Sequence, residues 1–228
     1  MRSPNSVWKV KSVRDNLSQV NEHREESRRG RQRRELTAEI IAIALRRLDE
    51  GGPDNVSWRG IAREVGMNPA SLYTYFPSLE DLFTAMITDS FERLAAAVEE
   101  GRAAEGAAPA DRFLACVRAY RSWAVANPRR FNLIWTDQLP GYAAPAEGPT
   151  VSAERSVYRP FLSVIGEVKG RSYRFEELSG LPADERHWLL GLFGTMHGLV
   201  SLEINHHLAP SSVDGEECLV SQMARTLL

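Results

Sequence analysis

Apolar residues recur at intervals of three and four along most of the chain, and stretches that alternate between apolar and polar residues are scarce. Intervals of three and four place side chains on one face of an α-helix, whereas alternation is typical of a strand. No alternating stretch is bounded by the Asn-Gly or Asp-Gly turn of a β-hairpin. The pattern therefore predicts an all-α fold.

The first helix with a complete apolar stripe is predicted from about Arg34 to Glu50, where Gly51-Gly52-Pro53 ends it. Upstream, Val10, Val13, Leu17 and Val20 also follow helical spacing. Residues 1–33 are accordingly interpreted as a basic extension that is partly helical or disordered.

A helix, a tight turn and a very short second helix are predicted between residues 57 and 76. Ser57 is a good N-cap for the first of these helices, and Gly66 can adopt the left-handed conformation that ends it. Asn68 can cap the second helix, and Pro69 suits the first position of that helix. We expect this helix to stop at Phe76.

The remaining apolar pattern predicts further helices joined by short connections. They are a long helix opened by a capping box at Ser78 and Asp81, then segments at about 112–126, 130–139, 151–168, 183–207 and 213–228. Pro160 should kink or interrupt the segment at 151–168, and residues 140–150 should form a mobile loop.

Charge is distributed unevenly over the 228 residues, although the net charge is only −2. Residues 1–80 contain 14 Lys or Arg and 11 Asp or Glu, whereas residues 81–228 contain 14 Lys or Arg and 19 Asp or Glu. Six arginines fall between residues 24 and 34, as in many nucleic-acid-binding segments. The alternative is a solvated helix face on which Glu25, Glu26 and Glu35 pair with them.

Composition excludes several other classes of protein. No apolar run reaches the roughly 18 residues that a membrane span needs, and the first residues lack the apolar stretch of a signal peptide, so we expect a cytoplasmic protein without membrane partners. Cys116 and Cys218 have no CxxC spacing, which disfavours a disulfide framework or a zinc site.

The segment IAREVGMNPASLYTYF has the spacing of a helix-turn-helix motif, with a small residue at Ala62, a turn at Gly66 and an anchor at Leu72. The order Ser57, Ile61-Ala62, Gly66-Met67, Leu72-Tyr73-Thr74-Tyr75-Phe76 and Leu82 resembles the TetR family of transcriptional regulators. The family usually has a lysine near backbone phosphate where this chain has Leu79.

That resemblance covers about residues 34–85 and implies two domains after the basic extension of residues 1–33. Residues 34–80 would form a three-helix DNA-binding domain, and residues 81–228 a helical domain for effector binding and dimerisation. The implied partners are double-stranded DNA, a small-molecule effector and a second copy of the chain, with no cofactor.

Helix geometry places Leu72 and Phe76 on one face, which we assign to the core, and Tyr73 and Tyr75 away from it. Combined with the resemblance, this implies that the two tyrosine hydroxyls reach phosphate oxygens. A core position for Tyr73 remains the alternative. Ser71, Thr74 and Asn68 should contact base edges, and Pro69 and Ala70 a thymine methyl. The complete set of predicted DNA-binding residues is Arg31, Arg33, Arg34, Ser57, Arg59, Asn68, Pro69, Ala70, Ser71, Tyr73, Thr74 and Tyr75.

In the C-terminal region, Gly191, Gly194, Gly198 and Ser201 form a small-residue face on one helix. Together with a last helix carrying Cys218, Leu219, Met223 and Leu227, this face favours a symmetric four-helix interface between two subunits. The segments YRSWAVANPRRFNLIW and MHGLVSLE also resemble one C-terminal subtype of the family.

Aromatic residues of this region are candidates to line an apolar effector cavity. The predicted ligand-binding residues are Trp123, Phe131, Trp135, Phe161, Phe193, Met196 and His197. Packing as plain core is the alternative for each of them.

Three alternatives concern function itself. An enzyme would use His197, Glu203 or His207, but no catalytic motif accompanies them, so we expect no enzymatic activity. A metal-responsive regulator would use Glu203, His206 and His207. A third alternative is a transcriptional activator rather than a repressor.

Overall fold

The computed structural model describes residues 13–103, 108–136, 142, 147–208 and 212–227, with side chains from residue 28 onward. These ranges contain α-helices and two short 3₁₀ helices without any β-strand, which confirms the all-α prediction. The elements are α1 (Val13–Gly51), a 3₁₀ helix (Pro53–Asn55), α2 (Trp58–Val65), α3 (Pro69–Leu72), α4 (Leu79–Arg102), α5 (Pro109–Ala126), α6 (Pro128–Trp135), α7 (Pro149–Lys169), a second 3₁₀ helix (Phe175–Gly180), α8 (Ala183–Ile204) and α9 (Gly215–Leu227).

The first helix is longer than its apolar stripe indicated. The prediction of a start near Arg34 was wrong, because α1 begins at Val13 and continues for 39 residues. The sequence between them contains no proline, and the single Gly30 costs a helix only about 1 kcal/mol. Residues 1–12 lie outside the described part of the chain.

Helices α1, α2 and α3 share a small core formed by side chains such as Ile40, Leu48, Ile61 and Leu72, all less than 2% exposed. A polar network beside this core fixes the first 3₁₀ helix against α1. Arg47 donates to the backbone carbonyl and side-chain oxygen of Asn55 at 2.9 and 3.0 Å, and Asn55 donates back to the carbonyl of Arg47 at 2.9 Å.

The predicted caps of the short helices are present. Ser57 accepts from the amide of Gly60 at 3.3 Å, and Gly66 ends α2 with a φ of 74°. Asn68 accepts from the amide of Ala70 at 2.9 Å. Although α3 ends formally at Leu72, the amide of Phe76 still bonds the Leu72 carbonyl at 3.0 Å, so helical turns reach the predicted end.

In the C-terminal body, α7 packs along α4 and both contact α5. Of the two effects predicted for Pro160, an interruption is excluded, since α7 runs without a break from Pro149 to Lys169. Proline removes one backbone donor, but Pro160 is itself buried where α7 packs against the body, and that burial outweighs the lost hydrogen bond. The loop predicted at residues 140–150 lies largely outside the described residues.

The last two helices pack on each other and on α5. Leu219, Met223 and Leu227 of α9 are at most 1% exposed within a single chain. Their predicted place in a subunit interface is therefore wrong, because these side chains already complete the core of their own subunit. Within the described ranges, no helix has the length and hydropathy to cross a membrane.

Helix α6 joins the body to the end of α1. Arg129 donates to the carbonyl oxygens of Leu48 and Asp49 at 3.2 and 2.9 Å, and Arg130 pairs with the Asp49 carboxylate at 2.5 Å. The last turn of α1 carries no basic residue of its own. The two arginines therefore supply the positive charge and the donors that a helix C-terminus lacks.

Candidate nucleic-acid interface and ligand pocket

The second helix of the motif has one buried face and one open face. Leu72 is 0% exposed and Phe76 6%, as predicted for the core side, whereas Tyr73 is 52% exposed. The alternative of a core position for Tyr73 is therefore wrong. Its ring lies against that of Trp58 on α2, with centroids 5.4 Å apart, so the half-exposed tyrosine is supported by α2.

Most of the predicted base-reading residues lie on the open face. Asn68, Pro69, Ala70 and Thr74 are exposed and Ser71 is partly exposed. Internal hydrogen bonds restrict what two of them can offer to a base. The Asn68 oxygen caps Ala70, which leaves its amide nitrogen to donate, and the Thr74 hydroxyl donates to the Ser71 carbonyl at 2.8 Å, which leaves it to accept.

The arginines near the start of the core fall into two groups. Arg31 and Arg34 are exposed and form no ion pair within the described part of the chain, so both are available to phosphates. Arg33 instead donates to the carbonyl oxygen of Thr74 at 2.7 Å, and its guanidinium carbon lies 5.6 Å from the centroid of the Tyr75 ring. It connects α1 to the end of the recognition segment.

Ser57 and Arg59 lie at the beginning of α2. The Ser57 hydroxyl is committed to the helix cap, whereas the Arg59 side chain is exposed. Leu79, in the position of the usual lysine, packs against the hydrophobic core. That position therefore supplies no charge to a phosphate.

The structure brings most of the predicted ligand-binding residues into one aromatic cluster. Phe131 and Phe161 are fully buried on either side of Tyr120, at ring distances of 5.6 and 6.3 Å from it. Trp135 contacts Phe131 at 6.5 Å, and Phe193 contacts Phe161 at 5.8 Å.

The other three predicted residues differ in position. Met196 is buried in the core and His197 belongs to the cluster, whereas Trp123 is partly buried and makes no ring contact with it. The cluster also contains Tyr120 and Tyr158, which the sequence pattern did not single out.

His197 is the polar centre of this cluster. Its Nδ1 lies 3.2 Å from the Tyr120 hydroxyl, and its ring stacks on Phe131 at 5.3 Å. Burial lowers the pKa of His197, so the imidazole is neutral at neutral pH. The nearby Trp135 Nε1 is buried and has no hydrogen-bond partner in the described structure, which leaves one donor unsatisfied.

A cavity of about 390 Å³ opens between α7, the second 3₁₀ helix and α8. It is lined by Glu154, Tyr158, Leu162, Phe175, Leu178, Ser179, Arg186, Leu189, Leu190 and Phe193. Phe193 is the single predicted residue among them. The contribution of Phe175 was missed because it lies on a 3₁₀ helix too short for periodicity to reveal.

The residues of the metal and enzyme alternatives do not form a site. Arg121 holds Glu203 through two hydrogen bonds of 2.8 and 2.5 Å, which occupy both oxygens of the carboxylate. His206 and His207 are exposed in the turn after α8. Among the described residues, no group of three or more His, Cys, Asp or Glu side chains is arranged to hold a metal ion.

A three-helix core that presents a short polar helix, followed by a larger helical body, defines a helix-turn-helix DNA-binding protein. Residues 40–86 match the family model described as bacterial regulatory proteins, tetR family. Residues 113–226 match the model of the tetracyclin repressor-like C-terminal domain. The chain belongs to the TetR family of DNA-binding transcriptional regulators.

Relatives and solved structures agree with this assignment. The HTH-type transcriptional regulator Rv1816 of Mycobacterium tuberculosis (strain ATCC 25618 / H37Rv) is 34% identical over 191 residues, spanning 75% of this chain and 82% of the relative. The solved structure of SCO4313 superposes with a TM-score of 0.69 at 24% identity, over 87% of this chain and 98% of that one. The structure of a Rhodococcus sp. RHA1 protein of unknown function superposes with a TM-score of 0.66 at 26% identity, over 84% of this chain and 93% of that one.

Proposed function

We propose that the protein is a homodimeric repressor, which leaves a palindromic operator when a small, largely apolar effector binds its helical body. The observation that carries this proposal is α6, which contacts both the aromatic cluster and the end of α1. Membership of the family accounts for DNA binding, whereas dimerisation, repression and response to an effector go beyond it. Because the partner is DNA, we place the protein in the cytoplasm. We also propose that its C-terminal domain belongs to the subtype of the family that the segment MHGLVSLE resembles.

Dimerisation is supported by an open face of α8. A Cβ atom added to Gly191, Gly194 or Gly198 would meet no atom within 4 Å. On the same helix, Leu190 is 72% exposed and Leu202 43%. Exposed leucines beside glycines that permit close backbone approach favour a second copy of α8 as the covering partner.

A response to an effector is supported by the position of α6. Phe131 and Trp135 of this eight-residue helix lie in the aromatic cluster, while Arg129 and Arg130 hold the end of α1. A ligand that displaces the cluster would therefore move the contacts on α1. Such a shift changes DNA affinity if the two positions of α6 favour different separations of the two DNA-binding domains.

Selection of bound sites from random DNA tests the proposal. We expect an inverted repeat with half-site centres about 34 to 36 Å apart, or a multiple of that. A single half-site without a repeat would contradict the dimer. Footprinting relative to the promoter separates repression from activation, because a repressor site overlaps the promoter and an activator site lies upstream.

A further inference from the structure

The cavity between α7, the second 3₁₀ helix and α8 has an aromatic wall. Tyr158 lies in contact with Phe175 at a ring distance of 5.7 Å and an interplanar angle of 24°. On its other side it meets Phe193 at 5.0 Å and 73°. All three side chains line the cavity, so this wall is aromatic.

One carboxylate shares this wall. Glu154 lies one helical turn before Tyr158 on α7 and lines the same cavity. It is partly buried, and within the described structure it forms no ion pair or hydrogen bond. Burial raises the pKa of Glu154 even though the neighbouring Arg155 opposes that shift. Its negative charge is therefore incompletely compensated by the protein.

Two guanidinium groups lie near this cavity, and one of them, that of Arg155, has a buried Nε without a hydrogen-bond partner in the described structure. Arg186 lines the cavity, but its side chain is exposed and donates to the carbonyl oxygen of Ser179 at 2.7 Å. The guanidinium carbon of Arg155 lies 5.4 Å from the centroid of Phe175. Neither group forms an ion pair with Glu154, although both place positive charge near the cavity.

We propose that this cavity binds an organic cation with an apolar body, its ammonium group lying between the Glu154 carboxylate and the ring of Tyr158 or Phe193. Aromatic faces attract cations within about 6 Å, and an uncompensated carboxylate gains more from a cation than from a neutral group. The proposal rests on the proposed function, because the cation would be the effector.

A matched pair of probes tests the role of charge. (3-Hydroxyphenyl)trimethylammonium and 3-tert-butylphenol have the same shape and differ by a nitrogen cation in place of a carbon atom. Calorimetric titration of the full-length protein should show the cation binding about tenfold more tightly, which lies between the values for an exposed and a desolvated cation–aromatic contact.

Three variants locate the site. Glu154→Gln should reduce the affinity for the cation about tenfold and leave that for the phenol unchanged. Arg186→Gln should strengthen cation binding, because it removes a like charge from the cavity. Glu100→Gln, on the exposed side of α4, serves as the matched control and should bind both probes as the wild type does.

Several outcomes would overturn the proposal. They are equal affinity for the two probes, no effect of Glu154→Gln, tighter binding of the phenol, or no cation binding up to about 10 mM. Arg186→Gln keeps the test decisive if Glu154→Gln does not fold. Operator binding is measured separately. Cation binding without DNA release supports the site but contradicts its role as the effector site. Failure of the protein to bind any operator in the absence of the cation contradicts the regulator.

Discussion

Arg33 donates a hydrogen bond of 2.7 Å to the carbonyl oxygen of Thr74, 41 residues further along the chain. The recognition helix has only four residues, so its last carbonyls lack partners within the helix. The side chain of Arg33, on α1, supplies a hydrogen-bond donor to one of these carbonyl oxygens. The orientation of the DNA-reading segment therefore depends on α1 as well as on the turn that precedes it.

Replacing Arg33 by Gln tests this positioning role. We expect the isolated protein to lose about 1 kcal/mol of unfolding free energy and to bind all DNA sequences more weakly, because the Thr74 carbonyl loses a charged donor. Arg34→Gln is the matched comparison. It should leave the melting temperature unchanged and lower the slope of log Kd against log salt by about 1. A melting temperature of Arg33→Gln equal to that of the wild type would argue against the positioning role.

Thr74 and Tyr73 are predicted to differ in what they read. Thr74→Ala should cost about 1–3 kcal/mol on sequences that offer a base donor to the hydroxyl, and much less on other sequences. Tyr73→Phe should weaken binding to all sequences alike, since a phosphate contact carries no sequence information. Binding of each variant to a library of operator mutants measures both effects. Equal losses on every sequence for Thr74→Ala would contradict a base contact.

Gly194→Leu tests the proposed interface on α8. The single chain has space at this position, and leucine favours helix by about 1 kcal/mol over glycine, so the variant should fold. Its sedimentation should be that of a monomer, because the added side chain prevents close approach of a second α8. Ala96→Leu, on an exposed face of α4, should remain dimeric. A dimeric Gly194→Leu would place the interface elsewhere.

Arg130 and Asp49 should be coupled energetically through their ion pair at 2.5 Å. In a double-mutant cycle with Arg130→Gln and Asp49→Asn, we expect a coupling of about 0.5–1 kcal/mol in unfolding free energy. The same variants should also weaken operator binding, because the end of α1 is no longer held. Additive effects of the two substitutions would show that the contact contributes nothing.

His197 should make stability depend on pH on the acid side. Burial lowers its pKa below the ordinary value of 6.5, so the unfolded chain binds this proton first as pH falls. The contribution to stability is complete above about pH 6.5 and decreases below it. The Tm of the wild type should therefore decrease relative to that of His197→Gln as the pH is lowered from 8 to 5.5. A difference that is constant over this range would contradict the prediction.

The sequence was most informative where local chemistry decides the structure. Ser57, Gly66, Asn68 and the capping box at Ser78 act on backbone groups within a few residues, and each has its predicted role. The two faces of α3 follow from helical geometry in the same way. These signals need no knowledge of the rest of the chain.

Contacts between distant segments could not be predicted in this way. Arg33 was expected among the DNA contacts, but its partner is a carbonyl that only the packing of α3 on α1 brings near. Arg129 and Arg130 show no periodic pattern that would identify the end of α1 as their target. The cavity between α7, the second 3₁₀ helix and α8 was not predicted for a similar reason, since its wall depends on the 3₁₀ helix at Phe175.

The continuity of α1 from Val13 to Gly51 makes it a rigid lever about 58 Å long. Leu45 is buried near the C-terminal end of α1, and we take it as the point about which the helix would tilt. From there Asp49 is about 6 Å away along the axis and Arg28 about 26 Å. If α1 tilts as a unit about Leu45, a displacement of about half an ångström at the α6 contact becomes about 2 Å at Arg28, an amplification of roughly fourfold.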